Sequence, residues 1–193
     1  MRPRFVLASA SPRRRQLLSE AGYEFEVVSP RVDEVVHSWL TIREVTIWNA
    51  ARKAAAACQL APDAIVLAAD TLVTIDGEVL GKPLDFEEAV RMLRRLSGRV
   101  HEVWTGVRII APAKRELRSF EEMSRVHFRP LDEPAIRRYL AKIDPLDKAG
   151  AYAAQGHGME IIERIEGSFS NVVGLPMEKT ALGLAAFGIE PLR

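Results

Sequence analysis

The pattern that most narrows the fold of this chain is an alternation of strand-sized apolar runs with longer helical segments, interrupted by hairpin signals. Phe5-Val6-Leu7-Ala8 is a short apolar run of strand length. Ser9-Ala10-Ser11-Pro12 breaks it and opens a helix, with Ser11 suited to the N-cap and Pro12 to the first helical position. Leu17, Leu18 and Ala21 give that helix an apolar face, and Gly22 stops it. Residues 25–28 read as a second strand, and residues 41–60 as a long helix whose run Ala54 to Ala57 allows close packing. Residues 64–75 are strand-like, and Asp76-Gly77 is a hairpin signal. Asp85 caps a helix reaching Leu96, with Glu88 completing a capping box, and Gly98 ends it. Residues 100–111 and 117–128 predict long antiparallel strands, and residues 132–143 a helix. Residues 144–158 are polar, rich in small side chains and irregular. Residues 159–165 predict a strand, Gly167 a turn, and residues 176–187 a closing helix. Parallel strands need a crossover, whereas several neighbouring strands here are hairpin-connected. The expectation is α/β, a mixed, twisted sheet flanked by helices. No Ser/Gly linker or repeat divides the 193 residues, so residues 1–193 are expected to form one domain.

Charge narrows the function. Lys and Arg total 27 against 26 Asp and Glu, a formal net charge of +1. That balance argues against non-specific nucleic-acid binding, which needs a basic excess. The single cysteine, Cys58, excludes an internal disulfide and a Cys-cluster zinc site. No apolar stretch is long enough to span a membrane, and Phe5 to Ala8 is too brief for a signal-peptide core. A cytoplasmic protein with no membrane partner is expected.

Five segments can carry chemistry. The first, Ser9-Ala10-Ser11-Pro12-Arg13-Arg14-Arg15, lies where a strand passes into a helix. Arginines in a first turn oppose the helix dipole, at about 0.3–1 kcal/mol per charge. With the backbone N–H groups they make an anion site; otherwise they are a solvated basic face. The second is Ala69-Asp70-Thr71, a carboxylate directly after an apolar run. Burying that charge is costly unless it is paired or metal-bound, so Asp70 is either a turn residue or a ligand or general base. The third, Gly77-Glu78-Val79-Leu80-Gly81-Lys82-Pro83, fails as a phosphate-binding P-loop. Its glycines are too close, and Pro83 stands where a Ser or Thr must meet the metal. Lys82 is a surface lysine or a phosphate contact. The fourth, residues 147–156, interleaves small residues with Asp147, Lys148, Tyr152 and Gln155. It is a tight loop or a ligand-facing one, and the Gln155 amide has the donor and acceptor that base-edge reading requires. The fifth, residues 168–176, is a strand-to-helix connection or a second helix entry facing a ligand. His37, His101, His127 and His157 are scattered without zinc-hydrolase spacing, and Ser168 and Ser170 fit no nucleophile elbow. Cys58 reads as packed core.

In this order and spacing the segments closely resemble the Maf family of nucleotide pyrophosphatases. The motifs are Ser9-x-Ser11-Pro12-Arg13-Arg14, Ala69-Asp70-Thr71, Gly81-Lys82-Pro83, Leu96-Ser97-Gly98, Asp147-Lys148-Ala149-Gly150-Ala151-Tyr152 and Val173-Gly174-Leu175-Pro176, covering nearly the whole chain. The resemblance implies a cleft between two lobes like that of the inosine triphosphatase group. It implies hydrolysis of a nucleoside triphosphate to the monophosphate and pyrophosphate with a divalent metal, Mg²⁺ or Mn²⁺. Asp70 corresponds to the proton acceptor. Arg13, Thr71 and Gln155 match the branch that prefers dTTP and UTP, not the branch linked to 7-methyl-GTP. Ser9, Arg14, Lys53 and Lys82 join them as substrate contacts, and Glu34 and Asp70 as metal ligands. The family often carries Glu-Lys-Ala where Arg52-Lys53-Ala54 stands here. Two other readings stay open: an Asp70-nucleophile phosphatase, weakened because Leu72 takes the place of a second carboxylate, and a non-enzymatic nucleotide-binding regulator of division or septum formation. The oligomeric state, a homodimer included, is not fixed by the sequence.

Overall fold

Strand β1 (Phe5–Leu7) is buried on both faces, and the alternation of its side chains shows why. It pairs in parallel with β3 (Ile65–Ile75), Phe5 opposite Ile65 and Leu7 opposite Leu67. Odd-numbered residues Phe5, Leu7, Ile65, Leu67 and Ala69 enter one core with Leu18, Leu184 and Phe187. Even-numbered Val6, Ala8, Val66 and Ala68 enter another with Ala54 and Ala57. A two-sided burial of this kind explains the unbroken apolar sequence.

The computed structural model describes residues 3–36 and 39–192. Met1 and Arg2 of the N-terminal stretch, His37 of the scattered histidines, Ser38 and Arg193 lie outside the described residues. Helix α1 (Pro12–Glu20) starts as its sequence predicts, with Pro12 in the first turn and the Ser11 hydroxyl accepting from the Arg14 N–H. Strand β2 (Glu26–Val27) pairs in parallel with β1. Helix α2 (Ile42–Leu60) opens on a complete capping box between Thr41 and Glu44. Strand β4 (Glu78–Leu80) returns antiparallel on β3 through Asp76-Gly77, both at positive φ (56° and 76°). That is the two-residue turn the sequence signals. Helix α3 (Phe86–Leu96) has its Asp85 cap, but the Glu88 carboxylate accepts from the Leu84 N–H at 2.6 Å. Strands β5 (Val100–Ala111) and β6 (Glu116–Phe128), helix α4 (Glu133–Leu140), strand β7 (Ile162–Glu166), and helices α5 (Phe169–Val173) and α6 (Met177–Ala185) complete the order. The described residues form an open, mixed seven-stranded sheet, β2-β1-β3-β5-β6-β7, with β4 on β3. None of their helices is long and apolar enough to cross a membrane.

Two further details differ from the sequence reading. The strand expected from residue 159 begins at Ile162, because residues Gly156–Glu160 form a 3₁₀ turn. Gly158 permits this turn, since a Cβ there would sit 2.7 Å from the Ala153 carbonyl oxygen. The connection after Gly167 contains α5, five residues long and entered by a Ser168 hydroxyl that accepts from the Asn171 N–H at 3.2 Å. So short a helix has no apolar period to read.

The chain divides into two compact units. The first comprises Met1–Thr71, Thr105–Glu122 and Gly174–Arg193. In it Gly106 lies against α2 so closely that a Cβ would stand 2.5 Å from the Thr46 carbonyl carbon and 2.6 Å from the Ile47 nitrogen. The second comprises Leu72–Trp104 and Met123–Val173. There the Ser97 hydroxyl accepts from the Leu131 N–H at 2.7 Å and donates to its carbonyl at 3.1 Å, and the Gly98 N–H donates to Arg129 at 3.0 Å. Leu96-Ser97-Gly98 is thus a helix stop that fixes the start of β5 to the end of β6.

Candidate active site

The parity of β3 determines what surrounds Asp70 and Thr71. Both stand beyond the last residue of β1, whose register on β3 ends at Leu67. In sheets with parallel strands, ligands bind outside the carboxyl ends of those strands. Asp70 shares the even-numbered face and so points to α2. Thr71 shares the odd-numbered face and so points to α1.

On the α2 side Asp70 is 2% exposed. The Lys53 ammonium donates to Asp70 Oδ1 at 2.7 Å and to Glu34 Oε1 at 2.5 Å. The Asn49 amide nitrogen donates to Asp70 Oδ2 at 3.1 Å. That amide also donates to the Val35 carbonyl at 3.1 Å, while its oxygen accepts from the Val35 N–H at 3.1 Å. The Arg52 guanidinium donates to the Asp33 carbonyl at 2.6 Å. Residues 33–35 therefore lie stapled to α2, with the Glu34 carboxylate at the ammonium that neutralises Asp70. Burial of a carboxylate is tolerated because it is paired and hydrogen-bonded.

On the α1 side Arg14 is buried and each guanidinium nitrogen has a partner. Nε donates to the Gly174 carbonyl at 2.8 Å, one terminal nitrogen to Ser9 Oγ at 3.2 Å and the other to Thr71 Oγ1 at 2.9 Å. Thr71 and Thr105 share a hydroxyl hydrogen bond of 2.9 Å, and the Ser11 N–H donates to Ser9 Oγ at 3.2 Å. Burial lowers the Arg14 pKa from its ordinary value, opposed by the Asp70 and Glu34 carboxylates. The three consecutive arginines thus separate. Arg14 points inward and ties the entry of its own helix to two distant segments, Arg13 is half-buried and Arg15 exposed.

Lys82 and Gln155 belong to the second unit. Lys82 is exposed, on a segment held by the Gly150 N–H donating to the Gly81 carbonyl at 3.0 Å. Gly150, at φ 70°, lies against Val73 and Tyr152. Lys148 is ion-paired with Asp147 and donates to the Asp144 carbonyl at 2.6 Å. Gln155 is half-buried and leads into the 3₁₀ turn.

Asn49 is the site residue the sequence reading missed. Its signal was present: a polar side chain four residues before Lys53, hence on the same face of an alanine-rich helix. Cys58 is half-buried and packs on the alanine core, as read.

A mixed α/β sheet whose β3 carries a buried, cation-paired carboxylate just past the end of β1, beside an arginine-bearing helix entry, defines a protein class suited to anionic ligands. The chain belongs to the Maf-like protein family, whose model matches residues 4–187. It is 47% identical over 187 residues to the dTTP/UTP pyrophosphatase of Pelotomaculum thermopropionicum, covering 97% of this chain and 98% of that one. It is 44% identical over 190 residues to the dTTP/UTP pyrophosphatase of Bacillus velezensis, covering 98% and 100%. Among solved structures, the Staphylococcus aureus Ham1 protein matches with a TM-score of 0.43 and 17% identity, over 65% of this chain and 71% of that one.

Proposed function

We propose that this chain hydrolyses dTTP and UTP, and related modified pyrimidine nucleotides, to the monophosphate and pyrophosphate. The observation that carries the proposal is Asp70, buried and held at both carboxylate oxygens, in a chain whose near full-length relatives bear that activity in their names. In this reading water attacks the α-phosphorus, the bond to the bridging oxygen of the pyrophosphate breaks, and Asp70 takes the proton of the attacking water. Charge builds on the phosphate oxygens in the transition state. Arg13, Lys53 and Lys82 stabilise it. Ser9, Arg14 and Thr71 act as one hydrogen-bonded wall of the substrate site, with Arg14 holding the other two in place. Gln155 reads the base edge, where a mismatched base leaves polar groups unpaired.

A divalent cation is part of this proposal. No cluster of three or more His, Cys, Asp or Glu side chains able to hold a metal is found among the described residues. Glu34 and Asp70 already converge on one positive charge, the Lys53 ammonium. Carboxylate oxygens are hard ligands, and Mg²⁺ is commonly held by one or two of them with substrate phosphates and water. The donor set therefore fits Mg²⁺ or Mn²⁺ held by Glu34 and Asp70. When bound, the cation supplies Lewis-acid stabilisation of the phosphate oxygens. A cytoplasmic location is proposed from the lone cysteine.

The deciding experiment is a panel of normal and modified nucleoside triphosphates with Mg²⁺ or Mn²⁺, scored for products. Pyrophosphate and monophosphate from dTTP and UTP are expected. Release of orthophosphate alone, or tight binding without turnover, would overturn the proposal.

A further inference from the structure

We propose that Tyr139 is the positioning residue that makes Gln155 selective among pyrimidine bases, an inference that rests on the substrate reading above. A primary amide presents one donor and one acceptor edge, and turning it by half a revolution exchanges them. Uracil and thymine offer a carbonyl acceptor and an N–H donor; cytosine offers an amino donor and a ring-nitrogen acceptor. An amide free to move can satisfy either pattern. Holding the chain does not stop the amide turning about its own last bond; it sets the distance and angle at which the amide meets the base, and discrimination depends on that placement.

The structure holds it from both sides. Tyr139, on α4 and 1% exposed, places its hydroxyl at Ala153, two residues before Gln155. That hydroxyl accepts from the Ala153 N–H at 3.0 Å and donates to the Ala153 carbonyl at 3.2 Å. One side-chain oxygen thereby uses its donor and an acceptor on a single backbone residue. After Gln155, its carbonyl accepts from the Gly158 N–H at 3.3 Å. Gly156 supplies the positive φ of 63° that starts this turn. Before Ala153, the Tyr152 hydroxyl is hydrogen-bonded to His101 Nε2 at 2.8 Å, and Tyr152 and Phe128 pack edge-on at 5.0 Å between centroids. The Tyr152 bond anchors a side chain. The Tyr139 hydroxyl instead grips the backbone of the segment that leads to Gln155, through both the N–H and the carbonyl of Ala153. Tyr139 touches no substrate in this proposal and acts through Gln155.

The test compares kcat/KM for UTP and CTP, scored as pyrophosphate, in the full chain and its variants, with thermal unfolding recorded for each. Tyr139→Phe keeps the ring in the core and removes only the hydroxyl. The expected result is cooperative unfolding with the UTP-over-CTP preference reduced roughly tenfold or more, chiefly through KM for UTP, as displacement of a binding group predicts. In a Gln155→Ala background the same substitution should change the preference no further. Ala154→Gly, which loosens the segment without touching Tyr139, should act in the same direction and decides the matter if Tyr139→Phe does not fold. A folded Tyr139→Phe protein, or failing that a folded Ala154→Gly protein, that keeps the wild-type preference overturns the proposal. So does an equal loss on both nucleotides, which marks a merely structural role. A wild-type protein that releases no pyrophosphate from UTP overturns the substrate reading itself, and the selectivity role falls with it.

Discussion

The Lys53 ammonium stands 2.7 Å from Asp70 Oδ1, an ion pair whose side chains are 12% and 3% exposed. A charge pair so nearly removed from solvent is costly to break from one side, because the remaining ion stays buried. Lys53→Met is therefore expected to leave Asp70 and Glu34 facing each other without a cation. Turnover should be lost. Mn²⁺ without nucleotide should raise the melting temperature of this variant more than that of the wild type, since it would bind the folded state at the vacated charge. Equal shifts in differential scanning fluorimetry would count against the two carboxylates as a cation site.

Asp70→Asn keeps the size of the side chain but removes its charge and basicity and replaces one of its two acceptor oxygens with a donor. Pyrophosphate release from UTP is expected to fall by roughly 10²–10⁴, the usual contribution of a general base. Far-UV circular dichroism should be unchanged. Near-normal turnover in this variant would remove Asp70 from the role of base.

Arg14→Lys tests the three-way tie to Gly174, Ser9 and Thr71. An ammonium has the charge but not the planar fork, so it cannot meet the three oxygens together. A stability loss of about 2–4 kcal/mol is expected in urea unfolding, with a drop in kcat.

Gly106→Ala adds one methyl group against the backbone of Thr46 and Ile47. Backbone atoms cannot move aside as a flexible side chain can. The cost is expected to reach about 3 kcal/mol or more, read as a lowered melting temperature or loss of soluble protein.

His101 gives a pH dependence. Burial, and to a lesser degree the nearby His127, lowers its pKa from 6.5 to about 3. The unfolded chain takes up a proton below 6.5 that the folded chain refuses until about 3. Stability is thus full above the upper value and is lost progressively as pH falls through that window, by up to about 1.4 kcal/mol per pH unit. His101→Gln removes the titration while retaining a hydrogen-bonding partner for Tyr152. Urea denaturation between neutral pH and roughly pH 4 should show a shallower acid loss in the variant than in the wild type.

The fold was legible wherever a local signal stood alone. Pro12 behind Ser11, Asp85 at the head of α3 and Asp76-Gly77 each specify a terminus or turn within four residues, and each is seen in the structure. The strand start near residue 159 was not legible. Met159, Ile161 and Ile162 look like one apolar run, but Met159 is 64% exposed and only the two isoleucines are buried. What separates them is the space at Gly158, a tertiary fact. At the candidate site, Asp70 stands out because a carboxylate follows an apolar run. Its partners stand out less: Asn49 shows only as a polar position four residues before Lys53, and Glu34, named by the resemblance, meets the Lys53 ammonium through the path of a loop. Arg13, Arg14 and Arg15 look alike in sequence. A helix turns about 100° per residue, so only the docking of α1 decides which of them is buried.

The Arg14–Gly174 bond joins positions 160 residues apart. Leu175, Leu184, Phe187 and Ile189 belong to the same core as Phe5 and Leu7 of β1, which is synthesised about 170 residues before them. At a synthesis rate of about 5–20 residues per second, the N-terminal strand waits several seconds or longer for the segment that covers it. During that interval the nascent chain presents one face of β1 and the buried fork of Arg14 to whatever is near. A message truncated before codon 174 would give a polypeptide that still contains Asp70, Lys53 and Glu34 but lacks the last layer of the core on the other face of β3. For this chain the synthesis of residues 174–189 is therefore the step that completes the core of the first unit.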